Sequence, residues 1–374
     1  MNWSRTGLRR FQGQLLGWFR RCQRDLPWRH TRDPHRIWLS EIMLQQTRVT
    51  AVMPYYRRFL ARFPSVRALA RAPTEEVLKL WAGLGYYSRA RNLHRAAKEI
   101  VARHSGRFPR ELEAALSLPG IGRYTAAAVL SIAYGEPHAA LDGNVARVLA
   151  RLFAVRGDLR APRRWAQLQS AAQKLVAPYA PGDCNQAMME LGASVCTPRS
   201  PRCVECPVSR WCRAYQLGLV EALPAARRKR PKVKLTLAAA VLLDSRQRTL
   251  LIRPSKPDSD RGSGALFSRM WQFPAAIVKR HAQKELARHL QASLGFRGGF
   301  EGGEADGKGF VSLPPARHAV TFREISLAPF LVRVDRLPEV VGAKTPFLAE
   351  LDRVPISSAT RKIAAAALRS LPGS

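Results

Sequence analysis

The sequence predicts a mainly α amino-terminal region followed by a smaller α/β domain. Up to about residue 222, apolar residues recur every three or four positions between prolines and glycines, which is typical of short packed helices. Beyond residue 235, strand-like apolar runs alternate with helical stretches. Residues 223–234 separate the two patterns. This segment is basic and contains two prolines, so we expect an interdomain linker.

Helix-breaking prolines and glycines divide the first region into separate predicted helices. Val77, Leu78, Leu80 and Trp81 show the helical spacing of apolar residues. The small residues of Thr125–Ala133 predict a helix that its neighbours approach closely.

In the second region the expected elements are two strands, a helix, a further strand and a closing helix. Their predicted bounds are Leu235–Leu243 and Thr249–Ile252 joined by the turn Asp244–Arg248, then Ala282–Leu294, Phe330–Val334 and Arg361–Leu368. The glycine-rich stretch 297–308 is expected to be a loop.

The composition is strongly basic. The chain has 374 residues, with 62 Lys and Arg against 27 Asp and Glu, which gives a formal net charge of +35. Such an excess attracts a polyanion, and DNA, RNA and an anionic membrane all satisfy it. A general arginine bias of the genome is the alternative explanation. No apolar run is long enough to span a bilayer, and the first residues lack the apolar core of a secretory signal.

Four cysteines lie close together in the spacing C-x6-C-x2-C-x5-C: Cys196, Cys203, Cys206 and Cys212. Four thiolates in one short loop are typical of a metal or iron–sulfur site. Structural zinc more often uses two tight pairs with a longer spacer, so a [4Fe-4S] cluster is favoured and zinc stays the main alternative. Cys22 and Cys184 lie outside the set, and we expect both to be ordinary buried thiols.

After the cysteine loop, the next strongest signal in the sequence is a short motif with two glycines. Leu118-Pro119-Gly120-Ile121-Gly122 predicts a tight hairpin between two helices, whose amides at Gly120, Ile121 and Gly122 can grip a DNA phosphate. A plain helix–helix turn is the alternative. Asp142 follows twenty residues after Gly122.

The hairpin, the downstream aspartate and the cysteine loop together resemble the helix–hairpin–helix DNA glycosylases, and within them the MutY family of adenine DNA glycosylases. The similarity is dense over about residues 20–222. The segments that carry it are Asp25–Arg29, Trp38–Thr47, Gly83–Leu93, Leu141–Val145 and Asn185–Gly192.

The resemblance implies a domain organisation. A helix–hairpin–helix glycosylase region would span residues 1–222, with a six-helix barrel module at about 30–140. An iron–sulfur module would comprise 1–29 and 141–222, with the cluster loop at 196–212. After the linker 223–234, residues 235–374 would form a Nudix-like recognition domain.

The resemblance also implies hydrolysis of the N-glycosidic bond of adenine mispaired with 8-oxoguanine or guanine. This chemistry needs an acid on the leaving group and an anion near an oxocarbenium-like sugar. Glu41, in an apolar helical setting that favours its protonated form, suits the acid that protonates adenine N7. Asp142 suits the anion, and Asn144 resembles its polar partner. A solvent-facing helical glutamate and a helix-capping aspartate are the structural alternatives.

Tyr124 separates two kinds of glycosylase. Relatives that also cleave the strand carry a lysine at this place and form a Schiff base, which tyrosine cannot do. A monofunctional enzyme is therefore expected.

Further roles follow from the resemblance alone, since the base must leave the duplex. Gln46 and Tyr86 would fill or wedge the base stack. The adenine pocket would be formed by Arg24, Trp28, Arg29, Leu44 and Gln186.

The carboxy-terminal domain resembles the Nudix hydrolases only in outline. Where their motif has acidic residues, this chain has His289, Ala292 and Ser293, so binding without catalysis is expected. The loop expected to read the oxidised base is His318–Phe322, with Thr321 and Phe322 in the recognition role.

Two alternatives accompany the leading interpretation. One is an endonuclease III-like glycosylase and lyase that acts on oxidised pyrimidines. The other is a non-catalytic iron–sulfur protein that binds DNA. In the leading interpretation the partner is mispaired double-stranded DNA, and the protein is a monomer at the bacterial nucleoid in the cytoplasm with no membrane association.

Overall fold

The computed structural model describes residues 3–225, 231–253, 270–296, 309–320 and 322–371. The chain divides into two compact units. The first comprises residues 1–72 and 91–228, and the second comprises 73–90 and 229–374. The boundary after residue 228 lies within the predicted linker segment. The inclusion of 73–90 in the second unit departs from the uninterrupted region 1–222 that the sequence predicts.

The described part of the first unit is helical throughout, as predicted. Its helices are α1 (Arg5–Cys22), α2 (Pro34–Leu44), α3 (Val49–Arg62), α4 (Val66–Arg71), α6 (Ser88–Arg103, which begins in the second unit), α7 (Leu112–Leu116), α8 (Arg123–Tyr134), α9 (Gly143–Leu152), α10 (Pro162–Leu175), α11 (Pro181–Ser194) and α12 (Arg213–Gln216). Helix α5 (Thr74–Trp81) belongs to the second unit.

Local capping explains where several of these helices begin and end. The Asp33 side chain accepts from the His35 amide ahead of α2, and Pro34 starts that helix with its φ already fixed. Helix α8 ends at Gly135 in the left-handed conformation, with φ of 75°. These signals set the bounds of the helices that carry the pocket described below.

Two features hold the first unit together. The apolar face of α1 buries Phe11, Leu15 and Phe19 in a core shared with α9, α10 and α11. Helix α8 buries an alanine-rich surface and packs on both α2 and α11. The small residues of α8 permit the close approach that the sequence predicts.

The second unit contains a mixed sheet in the order β2–β1–β5–β3, with β4 also paired to β5. Strands β1 and β5 are parallel, and the other pairings are antiparallel. The strands are β1 (Val233–Leu243), β2 (Ala275–Val278), β3 (Phe310–Ser312), β4 (Ala316–Val320) and β5 (Arg323–Arg333), and the helices are α13 (Ala282–Leu294) and α14 (Ser358–Arg369).

Both faces of this sheet are covered. Residues such as Leu237 and Val241 of β1 face a core that includes Ile363 of α14. The alternate residues, such as Leu242, face a second core that includes Leu286 of α13. A strand buried on both sides reads as a continuous apolar run, which is why β1 is visible in the sequence.

The predicted α/β class is confirmed, with changes in detail. Helix α13 has its predicted bounds, and α14 extends the predicted closing helix at both ends. Residues 249–252 form isolated bridges instead of the predicted strand. Strand β5 begins at Arg323, well before the predicted start. The predicted loop 297–308 lies outside the described residues.

Within the described residues, no helix has the length and apolar character that a membrane span requires.

Candidate active site

A cavity of about 810 Å³ opens within the first unit. Helix α2 contributes Glu41, α8 contributes Tyr124, the start of α9 contributes Asp142 and α11 contributes Gln186. The lining also includes five other residues predicted from the resemblance: Arg24, Trp28, Arg29, Leu44 and Gln46, together with Asn144. Side chains from distant parts of the sequence therefore meet in one pocket.

Glu41 lies buried in the wall of this pocket and is only 6% exposed. The Tyr124 hydroxyl donates a hydrogen bond of 2.8 Å to Glu41 Oε2. Burial raises the pKa of Glu41 to about 7, the hydrogen bond from Tyr124 opposes this rise, and the charge of Asp142 adds to it. Glu41 is therefore not the solvent-facing glutamate of the structural alternative. It can hold a proton near neutral pH.

Asp142 caps helix α9 and also faces the pocket. Its Oδ1 accepts from the Val145 amide at 2.7 Å, and its Oδ2 accepts from Asn144 Nδ2 at 3.1 Å. Burial raises the pKa of Asp142, while the hydrogen bonds from Val145 and Asn144 and the charge of Arg147 oppose the rise. The helix amino terminus also favours the carboxylate form. The helix-capping role and the pocket-facing position thus occur together.

Asn144 connects this carboxylate to the cysteine loop through Arg147. Arg147 Nη2 donates to Asn144 Oδ1 at 3.0 Å and to the Gly192 carbonyl at 2.8 Å, and its Nε donates to the Cys196 carbonyl at 2.9 Å. A Cβ atom at Gly192 would lie 2.9 Å from Asn144 Cβ, so only glycine allows α9 and α11 to approach this closely.

The sequence reasoning missed Glu190, although it lies in a segment that carries the resemblance. Its side chain is 1% exposed and accepts a bidentate pair from Arg24, with Nε at 2.8 Å and Nη2 at 2.9 Å. Arg29 Nη2 lies 2.5 Å from Glu190 Oε2. Burial acts to raise the pKa of Glu190, but the two guanidinium groups outweigh it and lower the pKa. The sequence signal that could have identified Glu190 is that it is the one charged residue among residues 184–194.

The predicted pocket residues differ in how free they are to contact a ligand. Glu190 fixes both Arg24 and Arg29. Trp28 is 7% exposed and meets Tyr56 edge-on, with ring centroids 5.2 Å apart, so it belongs to both the core and the wall. Gln46 has φ of 59°, a left-handed conformation that is uncommon outside glycine and is often found at functional sites.

The predicted hairpin connects α7 and α8. Gly120 has φ of 77°, and a Cβ atom there would lie 2.6 Å from Asn92 Cβ. Ile121 is buried, at 5% exposure, and anchors the turn. Gly120 and Gly122 are exposed, and Gly122 directly precedes α8. Their backbone is accessible to a phosphate, whereas the Ile121 side chain is not.

Tyr86 and the residues expected to read the oxidised base belong to the second unit. Tyr86 is 42% exposed with φ of 47°. Residues 318–320 end strand β4, so they are not in the predicted loop. Thr321 lies outside the described residues. Phe322 lies at the turn into β5, with the Arg323 guanidinium 5.3 Å from its ring centroid.

The four cysteines of the predicted metal site surround one small cavity, and Arg151 also lines it. Arg151 is 1% exposed. Its Nη1 donates to Cys196 Sγ at 3.3 Å and to the Thr197 carbonyl at 2.7 Å, and its Nε donates to the Leu223 carbonyl at 2.8 Å. A buried guanidinium beside the sulfurs suits a cofactor whose thiolate ligands carry negative charge.

The two remaining cysteines differ from each other. Cys184 is buried, as predicted, whereas Cys22 is exposed, so the prediction for Cys22 is wrong. Cys22 is the last residue of α1, where the amphipathic helix ends.

Comparison with known proteins agrees with this arrangement. The family model described as "HhH-GPD superfamily base excision DNA repair protein" matches residues 39–178. The iron–sulfur binding domain of endonuclease III matches residues 196–212, which run from the first to the fourth cysteine. The cofactor prediction of a [4Fe-4S] cluster is thereby confirmed over zinc.

Related proteins are found in distant organisms. The human adenine DNA glycosylase is 48% identical over 225 residues, which are 58% of this chain and 41% of the human protein. The Arabidopsis thaliana adenine DNA glycosylase is 35% identical over 315 residues, which are 74% of this chain and 49% of that protein. This chain thus covers less than half of either relative.

One solved structure resembles the fold over most of its length. It is a thermostable thymine-DNA glycosylase, 33% identical, with a TM-score of 0.52. The match covers 56% of this chain and 97% of that chain.

Replacement of Arg151 by lysine is predicted to weaken cluster binding. Lysine keeps the positive charge. Its single ammonium group cannot donate to Cys196 Sγ and to the Thr197 and Leu223 carbonyls at the same time, so buried acceptors lose their donors. Purified wild type should contain about four irons per chain. Arg151→Lys should contain less iron and release it several-fold faster to a chelator. Arg164→Lys, on the exposed surface of α10, is the control, and equal iron release from all three proteins would contradict this role.

Proposed function

Since the chain belongs to the HhH-GPD superfamily of base excision DNA repair proteins, we propose that it is a monofunctional adenine DNA glycosylase. It hydrolyses the N-glycosidic bond of adenine mispaired with 8-oxoguanine or guanine. The observation that carries the proposal is that buried Glu41 and partly buried Asp142 line one pocket, with the pKa of Glu41 raised to about 7. That the released base is adenine is inferred from the adenine DNA glycosylases among the relatives.

Glu41 is the general acid. Its protonated carboxyl donates to N7 of the extruded adenine, which makes the base a neutral leaving group. The Tyr124 hydroxyl holds one oxygen of this carboxyl. Because burial disfavours the charged form, Glu41 is available as an acid close to neutral pH.

Asp142 stabilises the sugar cation that develops as the bond breaks. Its two oxygens are held by Val145 and Asn144, so little reorganisation is needed as the charge develops. The carboxylate also positions the water that attacks C1′ and accepts the proton that this water loses. Asn144 is itself held by Arg147 and acts through Asp142.

Strand cleavage by a lyase step is not part of the proposed reaction. That step requires an amine nucleophile. Among the described residues that line the pocket, the basic ones are the arginines Arg24, Arg29 and Arg48, and Tyr124 occupies the position expected for the lysine.

The remaining residues bind and orient the substrate. Arg24 and Arg29, fixed by Glu190, face the adenine together with Trp28, Leu44 and Gln186. Gln46 and Tyr86 fill or wedge the base stack while the adenine is extruded. The backbone of Gly120 and Gly122 binds a phosphate.

The four cysteines hold the [4Fe-4S] cluster, which supports the loop and through it Arg147. Thr321 and Phe322 read the oxidised base, in a Nudix-like domain. We further propose that the protein acts as a monomer on the chromosome of a bacterial cell.

A substrate panel tests the proposal directly. Purified protein is incubated with duplexes that contain A opposite 8-oxoguanine, A opposite G, T opposite G or thymine glycol. Release of adenine from the first two duplexes alone supports the proposal. Release of thymine, the base in the name of the similar solved structure, or of thymine glycol would refute it.

The product strand is predicted to stay intact until alkali or heat is applied, because Tyr124 cannot form an imine. Borohydride should trap little covalent adduct with wild type. Tyr124→Lys is expected to increase trapping if this residue faces C1′. Strong trapping and cleavage by wild type without alkali would instead indicate a lyase.

Removal of either carboxyl group is predicted to abolish turnover. Glu41→Gln and Asp142→Asn should each lower the single-turnover rate by at least about a thousandfold, several kcal/mol of transition-state stabilisation. Asp142→Asn keeps an oxygen for the Val145 amide, so the cap and duplex binding should survive. Asp183→Asn is the matched control, since Asp183 on α11 lies outside this pocket lining and pairs with Arg20. Near-normal rates in either variant would remove that residue from the mechanism.

The rate is predicted to depend on pH through Glu41. The acid form is needed, and its pKa is about 7. The single-turnover rate should therefore fall as the pH rises above 7, approaching about tenfold per pH unit. Tyr124→Phe removes a hydrogen bond that lowers the pKa of Glu41, so the alkaline fall should move to higher pH. Rate measurements from pH 5 to 9 at constant ionic strength check both effects, and a rate that rises through pH 7 would contradict them.

A further inference from the structure

The segment 73–90 carries Tyr86 and belongs to the second unit. The chain leaves the first unit after Ala72 and returns to it at Arg91. The residue proposed to wedge the DNA is therefore supported by the domain that is proposed to read the opposite base.

Ion pairs of Glu75 attach the start of this segment to the carboxy-terminal part of the second unit. Glu75 of α5 pairs with Lys344 Nζ at 2.9 Å and with Arg253 Nη2 at 3.4 Å. Both cations also lie against the ring of Trp271, at 5.1 Å for Lys344 and 4.3 Å for Arg253. The hydrogen bond from Lys344 is the main cause that lowers the pKa of Glu75.

Tyr87 attaches the end of the segment. Tyr87 is buried, at 6% exposure. Its hydroxyl donates to the Ile356 carbonyl at 3.3 Å and accepts from the Gly83 amide at 3.4 Å. The residue next to Tyr86 thus links the start of the Tyr86 loop to the carboxy-terminal part of the chain.

The loop between these attachments is internally braced by Arg89. Its Nη2 donates to the carbonyls of Leu84 and Gly85 at 3.3 and 3.2 Å. The guanidinium lies 5.5 Å from the Trp81 ring and 5.3 Å from the Tyr86 ring. Trp81 Nε1 also donates to the Gly85 carbonyl, at 3.2 Å. These contacts hold Tyr86 within a braced loop, and Tyr87 is its direct neighbour in the chain.

We propose that Glu75 and Tyr87 are positioning residues through which the carboxy-terminal part of the chain sets the placement of Tyr86. The preference for A opposite 8-oxoguanine over A opposite G then depends on these two attachments as well as on the residues that touch the lesion. This inference rests on the proposed function.

The test uses the full chain with its cluster. Tyr87→Phe removes the bridging oxygen and keeps the ring. Tyr134→Phe is the matched control, since it loses a hydrogen bond of the same kind, from the Tyr134 hydroxyl to the Phe108 carbonyl, within the first unit. Glu75→Gln is matched by Glu113→Gln, a change at an exposed glutamate of α7 in the first unit.

Hydrogen exchange gives a readout independent of activity. In Tyr87→Phe, amides in residues 83–90 should exchange about two- to tenfold faster, the range expected for one lost hydrogen bond. Glu75→Gln should speed exchange in the same residues, and neither control should do so. Unchanged exchange in residues 83–90 in both test variants would overturn the attachment.

Single-turnover rates test the effect on specificity. In Tyr87→Phe, the ratio of the rates for A opposite 8-oxoguanine and A opposite G should fall about two- to tenfold. An unchanged ratio, or an equal fall in Tyr134→Phe, would overturn the coupling. If wild type released no adenine, the proposed function would fail, and the exchange experiment would decide the attachment on its own.

Discussion

The close approach of α9 and α11 is the constraint on which the rest of the active site depends. Gly192 lets the two helices meet at Asn144, and Arg147 fills the space with donors to Asn144, Gly192 and Cys196. The same contact therefore fixes the partner of Asp142 and the first residue of the cluster loop. A side chain at position 192 would separate the helices, and Arg147 would lose acceptors on both sides while remaining buried.

Three carboxyl groups line one pocket, and their donors oppose the effect of burial on the pKa to different extents. Glu41 has a phenol as its donor and has a raised pKa. Glu190 has two guanidinium groups and has a lowered pKa. Asp142 is held by the amide groups of Val145 and Asn144 at the start of a helix. Burial favours the neutral form of all three groups, and only at Glu190 do the donors outweigh it and lower the pKa.

The sequence predicts the helical and sheet elements where local signals are strong. The apolar run of β1 and the amphipathic pattern of α13 give elements close to those observed, because burial follows directly from periodicity. The four cysteines stand out by their spacing, whereas Glu41 and Asp142 are singled out only through the resemblance. Glu190 and Arg147 were missed because their importance comes from contacts 161 and 49 residues away in the chain, to Arg29 and Cys196.

The placement of residues 73–90 shows a different limit. Their helical periodicity predicts α5, but periodicity does not indicate which distant residues contact its polar side chains, such as Glu75. Glu75 and Lys344 are 269 residues apart, as are Tyr87 and Ile356. An exposed ion pair contributes little to stability, and a single neutral hydrogen bond contributes about 1 kcal/mol. Contacts this weak are poor candidates for holding the fold together. They are well suited to setting the position of a loop, because a change of about 1 kcal/mol shifts its population without unfolding either unit.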